Sequence, residues 1–147
     1  MLNWTIKKFE ELTPFELYAL LRLRSEVFVV EQNCVFLDMD NKDQFSHHIL
    51  GWDGAILAAS TRLIAPGKVY KEMSIGRVVT SPARRNAGYG KALMLFSIDA
   101  CYRLFGEGPI RIGAQLYLKK FYESLGFIVC GDVYDEDGID HVEMIRP

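Results

Sequence analysis

Residues 73–95, MSIGRVVTSPARRNAGYGKALML, constrain this chain more than any other stretch. Ile75, Val78 and Val79 stand in a β-branched run typical of a strand. Pro82 stops that strand, because it has no N–H to give to a ladder. Arg85, Asn86, Ala87, Gly88, Tyr89 and Gly90 follow, and the residues from Lys91 to Phe96 are good helix formers. Two glycines two apart at a helix start let backbone approach a ligand with no Cβ in the way. The free N–H groups of the first helical turn and the positive end of the dipole then make an anion site. Phosphate is the expected guest, with Arg84, Arg85 and Lys91 adding positive charge around it.

Three phosphate-binding patterns compete for this turn. A P-loop needs G-x-x-x-x-G-K-S/T. Gly90-Lys91 fits its end, but Ala92 offers no hydroxyl for magnesium and Arg85 stands where the first glycine belongs. A dinucleotide fingerprint needs G-x-G-x-x-G, and here Leu93 fills the third position. The third pattern, R/Q-x-x-G-x-G/A after a strand, is matched in full by Arg85, Gly88 and Gly90. In this the stretch resembles the pyrophosphate loop of the GNAT superfamily of acetyl-CoA-dependent N-acetyltransferases. A second stretch extends the resemblance. After a strand at 110–113, Phe121-Tyr122-x-x-Leu125-Gly126-Phe127 is similar to the short helix in the second half of that superfamily's cofactor site. Gly126 suits the helix C-cap, and the order and separation of the two stretches also match.

The remaining chain is consistent with one domain spanning 1–147. Half of the residues are hydrophobic and 24% charged, as in a globular protein. The net charge of -2 disfavours nucleic acid as a partner. No apolar run approaches a membrane span, and the N-terminus lacks the pattern of a signal peptide. Cys34, Cys101 and Cys130 have no C-x-x-C spacing, which points away from zinc and from a disulfide framework and towards a reducing cytoplasm. No metal is expected.

Residues 3–9 read as a first strand. Thr13-Pro14-Phe15-Glu16 is a helix start with a capping box and Pro at the first helical position. Leu17, Leu20, Leu21, Val27 and Phe28 give that helix a buried face, with Arg22, Arg24 and Glu26 on or beside the others. The end of this helix, with Asp38-x-Asp40-x-x-Asp43 and His47-His48 after it, resembles one branch of the superfamily, the ElaA-like proteins. Lys42 and Asp43 break the calcium-loop pattern D-x-D/N-x-D/N-G, so 38–43 reads as a solvated loop with Asp side chains closing local turns. His47 and His48 lead into a strand and point to opposite faces, which suits structural roles. Asp53-Gly54 marks a hairpin into a strand at 55–64, and Pro66-Gly67 another turn. A long helix from about 88 to 105 buries Leu93, Ser97, Ala100, Cys101 and Leu104. Residues 127–130 and 141–145 read as a closing antiparallel pair, joined by a strongly acidic, solvated hairpin loop over 132–140. This order fits an α/β three-layer sandwich with a mixed, strongly twisted, mostly antiparallel sheet, the GNAT architecture.

The resemblance implies acetyl-CoA as co-substrate and an amine as acceptor. It implies that Val78, Val79 and Thr80 offer a strand edge to the pantetheine arm. It implies that Arg85, Asn86, Ala87, Gly88, Tyr89, Gly90 and Lys91 wrap the pyrophosphate. Asn86 stands where the family usually has glycine, and Asn tolerates left-handed backbone. Gln115 stands near a position where the family often has a cofactor-touching asparagine. Tyr122 takes the place of the family's tyrosine acid, and a phenol with an ordinary pKa of about 10 holds its proton at neutral pH. By the same resemblance, a backbone N–H near Val78 or Val79 is the candidate donor to the developing oxyanion. The resemblance also implies that the end of the first helix, with Phe28 and Glu31, walls the acceptor pocket. Gly76 stands where many relatives carry a glutamate base. That leaves Glu31, Glu72, one of His47 and His48, or bulk solution to take the proton. The superfamily often forms homodimers. Two other classes stay open: an acyl-CoA sensor without turnover, and a nucleotide-binding regulatory module.

Overall fold

The computed structural model describes residues 1–147. The chain runs β1 (Asn3–Lys8), α1 (Pro14–Arg24), a π-helical turn (Ser25–Glu31), β2 (His47–Asp53), β3 (Ile56–Ile64), β4 (Met73–Thr80), α2 (Tyr89–Phe105), β5 (Ile110–Gln115), α3 (Lys119–Glu123), β6 (Ile128–Val129), β7 (Tyr134–Glu136) and β8 (Ile139–Arg146). One eight-stranded sheet has the order β1-β2-β3-β4-β5-β8-β6, with β7 paired to β8. Only β4 and β5 run parallel; every other pair is antiparallel. No helix is long and apolar enough to cross a membrane.

Strand alternation divides the core into two layers. Leu50, Leu57 and Val79 face Leu20, Leu23 and Val27 of the first helical segment. Ile49, Ala58, Leu63 and Ile75 project to the other side, against Leu93, Met94, Ala100 and Cys101 of α2. The sheet therefore sits between two helical layers, as expected. α1 begins as its sequence dictates: Thr13 Oγ1 accepts from the Glu16 N–H at 3.1 Å, and Glu16 Oε1 accepts from the Thr13 N–H at 2.8 Å. At its far end the helix widens, with i→i+5 bonds from the Gln32 N–H to Val27 O and from the Cys34 N–H to Val29 O.

Three readings are corrected. Leu104 is 40% exposed. Phe105 packs on the core at that end instead, edge-on to His47. The acidic 132–140 hairpin is not loop throughout: Asp137 (φ 54) and Gly138 (φ 83) accept the two positive φ values of a tight turn and bring the short strand β7 against β8. Arg24 is buried, as described below.

Gly51 pairs directly with Trp4, whose ring lies over it and stacks on Phe96 of α2 with centroids 5.3 Å apart. A Cβ at Gly51 would lie 2.6 Å from Trp4 Cζ3. Gly51→Ala is therefore expected to lose about 1–3 kcal/mol through displacement of the indole, read as a lower urea midpoint at unchanged slope.

Candidate active site

β4 and β5 are held together only at Met73–Ile110 and Ser74–Arg111. Beyond Ser74 they part, and a cleft of about 910 Å³ opens between them. A bulge drives the parting. Between the Ser60–Val79 and Arg62–Gly76 pairs, β4 carries one residue more than β3, and Arg77 takes φ 48. Val78, Val79 and Thr80 line the cleft beyond the bulge. Because the Val79 side chain is buried in the core, this strand faces the cleft there largely with backbone. The turn that follows holds Asn86 at φ 68 and Gly88 at φ 76. No backbone carbonyl accepts from the N–H groups of residues 85–91, and the first helical bond is Ala92 N–H to Gly88 O at 3.2 Å. Arg85 and Gly90 line the cleft, while Asn86, Ala87, Gly88, Tyr89 and Lys91 form the turn and helix start beside it.

The π-helical turn closes the cleft from the side of α1. Phe28 and Glu31 both line it. Glu31 accepts two bonds from Arg85, at 2.7 and 2.6 Å, which hold its carboxyl below the usual range. The next residue, Gln32, exchanges amide bonds of 3.0 and 3.2 Å with Gln115 at the end of β5. Cys34 Sγ lies 3.0 Å from Asp137 O in the β7–β8 turn. On the opposite wall, Tyr122 of α3 is 5% exposed and set edge-on between Phe121 and Phe127. Burial pushes its phenol up, so it keeps its proton across the neutral range. Tyr122 is also among the residues that line the cleft.

The candidate bases separate cleanly. His48 is buried behind the sheet, where its Nε2 donates to Asp43 O at 2.9 Å and burial pushes its pKa down. His47 packs on Phe105. Glu72 is paired with Arg111 at 3.0 Å. None of the three lines the cleft, and Glu31 lines it already paired. The sequence reading missed His141, Tyr134 and Tyr70, which line the same cleft. Gly113 makes room for both phenols, since a Cβ there would lie 2.9 Å from the Tyr134 hydroxyl and 3.5 Å from that of Tyr70.

A family model described as an acetyltransferase (GNAT) domain matches residues 25–146. This chain belongs to the GNAT acetyltransferase family. It is similar to ElaA of Escherichia coli, with 41% identity over 99% of this chain and 97% of that protein. The ElaA crystal structure superposes with a TM-score of 0.93, covering both chains fully at 40% identity. An acyl-CoA N-acyltransferase from Pseudomonas aeruginosa superposes at 0.96, with 42% identity over the whole of both chains.

In this GNAT domain the 38–43 segment is no solvated loop. Arg24, the last residue of α1, is 1% exposed and donates to Asp38 (Nε, 2.8 Å) and to both oxygens of Asp43 (2.8 and 3.0 Å). Arg62 of β3 donates to both oxygens of Asp40, at 2.8 and 2.9 Å, and to Asp43 at 3.1 Å. Arg77, at the bulge, donates to Asp38 Oδ1 and Asp38 O, both at 2.9 Å. Three guanidinium groups take the three carboxylates, and the segment is bound down onto the sheet instead of closing local turns. The sequence did carry a signal, in single arginines set inside otherwise apolar elements opposite three spaced aspartates. Burial raises the carboxyl pKa of Asp43, but the hydrogen bonds and charges of Arg24 and Arg62 outweigh it and leave the group low. The same balance, set by Arg62 and Arg77, brings Asp40 to about 2.

Arg24→Ala removes one of the two guanidinium partners from each of two buried carboxylates, Asp38 and Asp43, and is expected to lose about 3 kcal/mol in chemical denaturation. The pH dependence follows from the depressed carboxyls: their stabilisation is complete above the unfolded value of about 4 and is lost as pH falls towards about 2. Urea midpoints of the wild type should hold from pH 7 to about 5 and fall through pH 4 to 2.

Proposed function

We propose that the chain is an N-acetyltransferase that moves the acetyl group of acetyl-CoA to a primary amine of a small molecule or peptide, by direct attack. The observation that carries this reading is one cleft that joins the unpaired β4 edge, the N–H-rich turn at 85–91 and the buried phenol of Tyr122. A turn with seven unaccepted N–H groups and a left-handed Gly88 suits a pyrophosphate. A strand edge without a partner suits an extended pantetheine arm.

When bound, acetyl-CoA supplies the acetyl thioester. The amine attacks in its neutral form through a tetrahedral intermediate. A backbone N–H at Val78 or Val79 meets the oxyanion, which is where charge develops. Tyr122 gives its hydroxyl proton to the departing sulfur. Burial supports this role, because a phenol held neutral stays a donor at working pH.

Thiol release from acetyl-CoA against a panel of amines and peptides tests the reading. Tyr122→Phe should lower kcat by about 100-fold or more with one acceptor class while keeping thermal stabilisation by acetyl-CoA. An equal rate in Tyr122→Phe would remove the tyrosine from the chemistry. Stabilisation by acetyl-CoA with no turnover by the wild type would favour a binding role.

A further inference from the structure

We propose that His141 is the base that takes the proton from the acceptor amine, with Glu136 facing the charge it gains. The inference rests on the acetyltransferase reading and supplies the group that reading lacks. Glu31 and Glu72 are each held by an arginine and His47 and His48 lie outside the cleft, whereas His141 lines it with the exposed carboxylate of Glu136 beside its Nε2. It is 7% exposed and stands at the start of β8, directly opposite Gln115 across the β5–β8 ladder. Opposed residues of a ladder project to one face, so His141, Gln115 and Tyr134 share the cleft side.

The ring's hydrogen bond fixes its protonation pattern. Nδ1 lies 2.7 Å from Ile139 O. A carbonyl oxygen only accepts, so Nδ1 carries the hydrogen and Nε2 of the neutral ring carries the lone pair. Nε2 in turn lies 3.3 Å from Glu136 Oε2. The imidazole is thus anchored at one nitrogen, basic at the other, and faced by a carboxylate that stabilises the imidazolium once formed. The Glu136 side chain is 59% exposed, which gives the proton a route to solvent. The titratable groups around the ring are Glu136 and the stacked Tyr134 from β7, Asp137 and Asp140 flanking the turn, Tyr70 across Gly113, and Cys34 on the π-helical side. Burial holds Tyr134 protonated, raised to about 12, and raises Tyr70 likewise, so neither phenol competes as a base near neutrality.

The protons balance. An acceptor ammonium gives one proton to Nε2 and becomes a neutral amine. Its nitrogen bonds to the thioester carbon. The C–S bond then breaks, Tyr122 gives its proton to the sulfur, and the second proton of the nitrogen restores the phenol. Imidazolium releases its proton past Glu136 to solvent, and the net products are the acetamide, the free thiol and one proton.

The test compares the wild type, His141→Gln and Glu136→Gln with one acceptor amine across pH. His141→Gln should lower kcat/KM by about 100-fold and lose the acid limb of the profile, with the acetyl-CoA-induced rise in melting temperature kept. Glu136→Gln changes an exposed side chain, so it stays folded even where the histidine variant fails. It should lower the rate across the profile, because the carboxylate beside Nε2 is gone. An unchanged profile in Glu136→Gln, or an unchanged rate in His141→Gln, overturns the role of His141 and leaves acetyl transfer standing. Absence of turnover by the wild type with every amine overturns the underlying reading, and this inference with it.

Discussion

β4 and β5 are parallel neighbours that pair over two residues each and then separate. In a parallel sheet every further pair would add ladder bonds and close the gap, so the open state needs something to hold it. Part of the answer is the bulge at Arg77, which bends β4 away and puts a non-glycine residue at φ 48. That conformation is unfavourable for arginine in isolation. It persists because the side chain is fixed to both the carboxylate and the backbone of Asp38. The cleft and the exposed β4 edge both follow from this separation.

Asp38 in turn is held from behind by Arg24, and Asp40 and Asp43 by Arg62. The cluster carries three positive and three negative charges, so it is neutral as a set though each member is costly to bury alone. Such clusters contribute less to net stability than to a single arrangement, because no partner can leave without stranding another. Here the arrangement joins α1, β3 and β4, the elements that frame one side of the cleft.

The parts of the site legible in the sequence are those whose chemistry is local. Gly88 and Gly90 announce a turn into a helix because the chain takes a left-handed φ of 76 at Gly88 just before α2. Phe121 to Phe127 announce a short helix ended by Gly126, which has φ 92. Thr13 and Glu16 announce a helix start because both partners of the cap lie within four residues. The arginine cluster was not legible as a cluster, because its partners lie 14 to 39 positions apart. Strand β7 was hidden by its composition, since acidic side chains on a short edge strand look like loop. His141 went unread for the same reason: its place in the cleft comes from pairing with Gln115 and Tyr134, which no local pattern records.

On the acetyltransferase reading proposed above, a pyrophosphate in the 85–91 turn would compete with Glu31 for the Arg85 guanidinium. Whatever free energy the anion gains from Arg85 is reduced by the cost of parting Arg85 from Glu31, and the carboxylate released faces the cleft. By thermodynamic reciprocity, any molecule that binds Glu31 in its freed state must raise the affinity for the anion by the same factor. On that reading the two halves of the cleft would be coupled through the Arg85–Glu31 ion pair, with occupancy of one side setting the charge presented on the other.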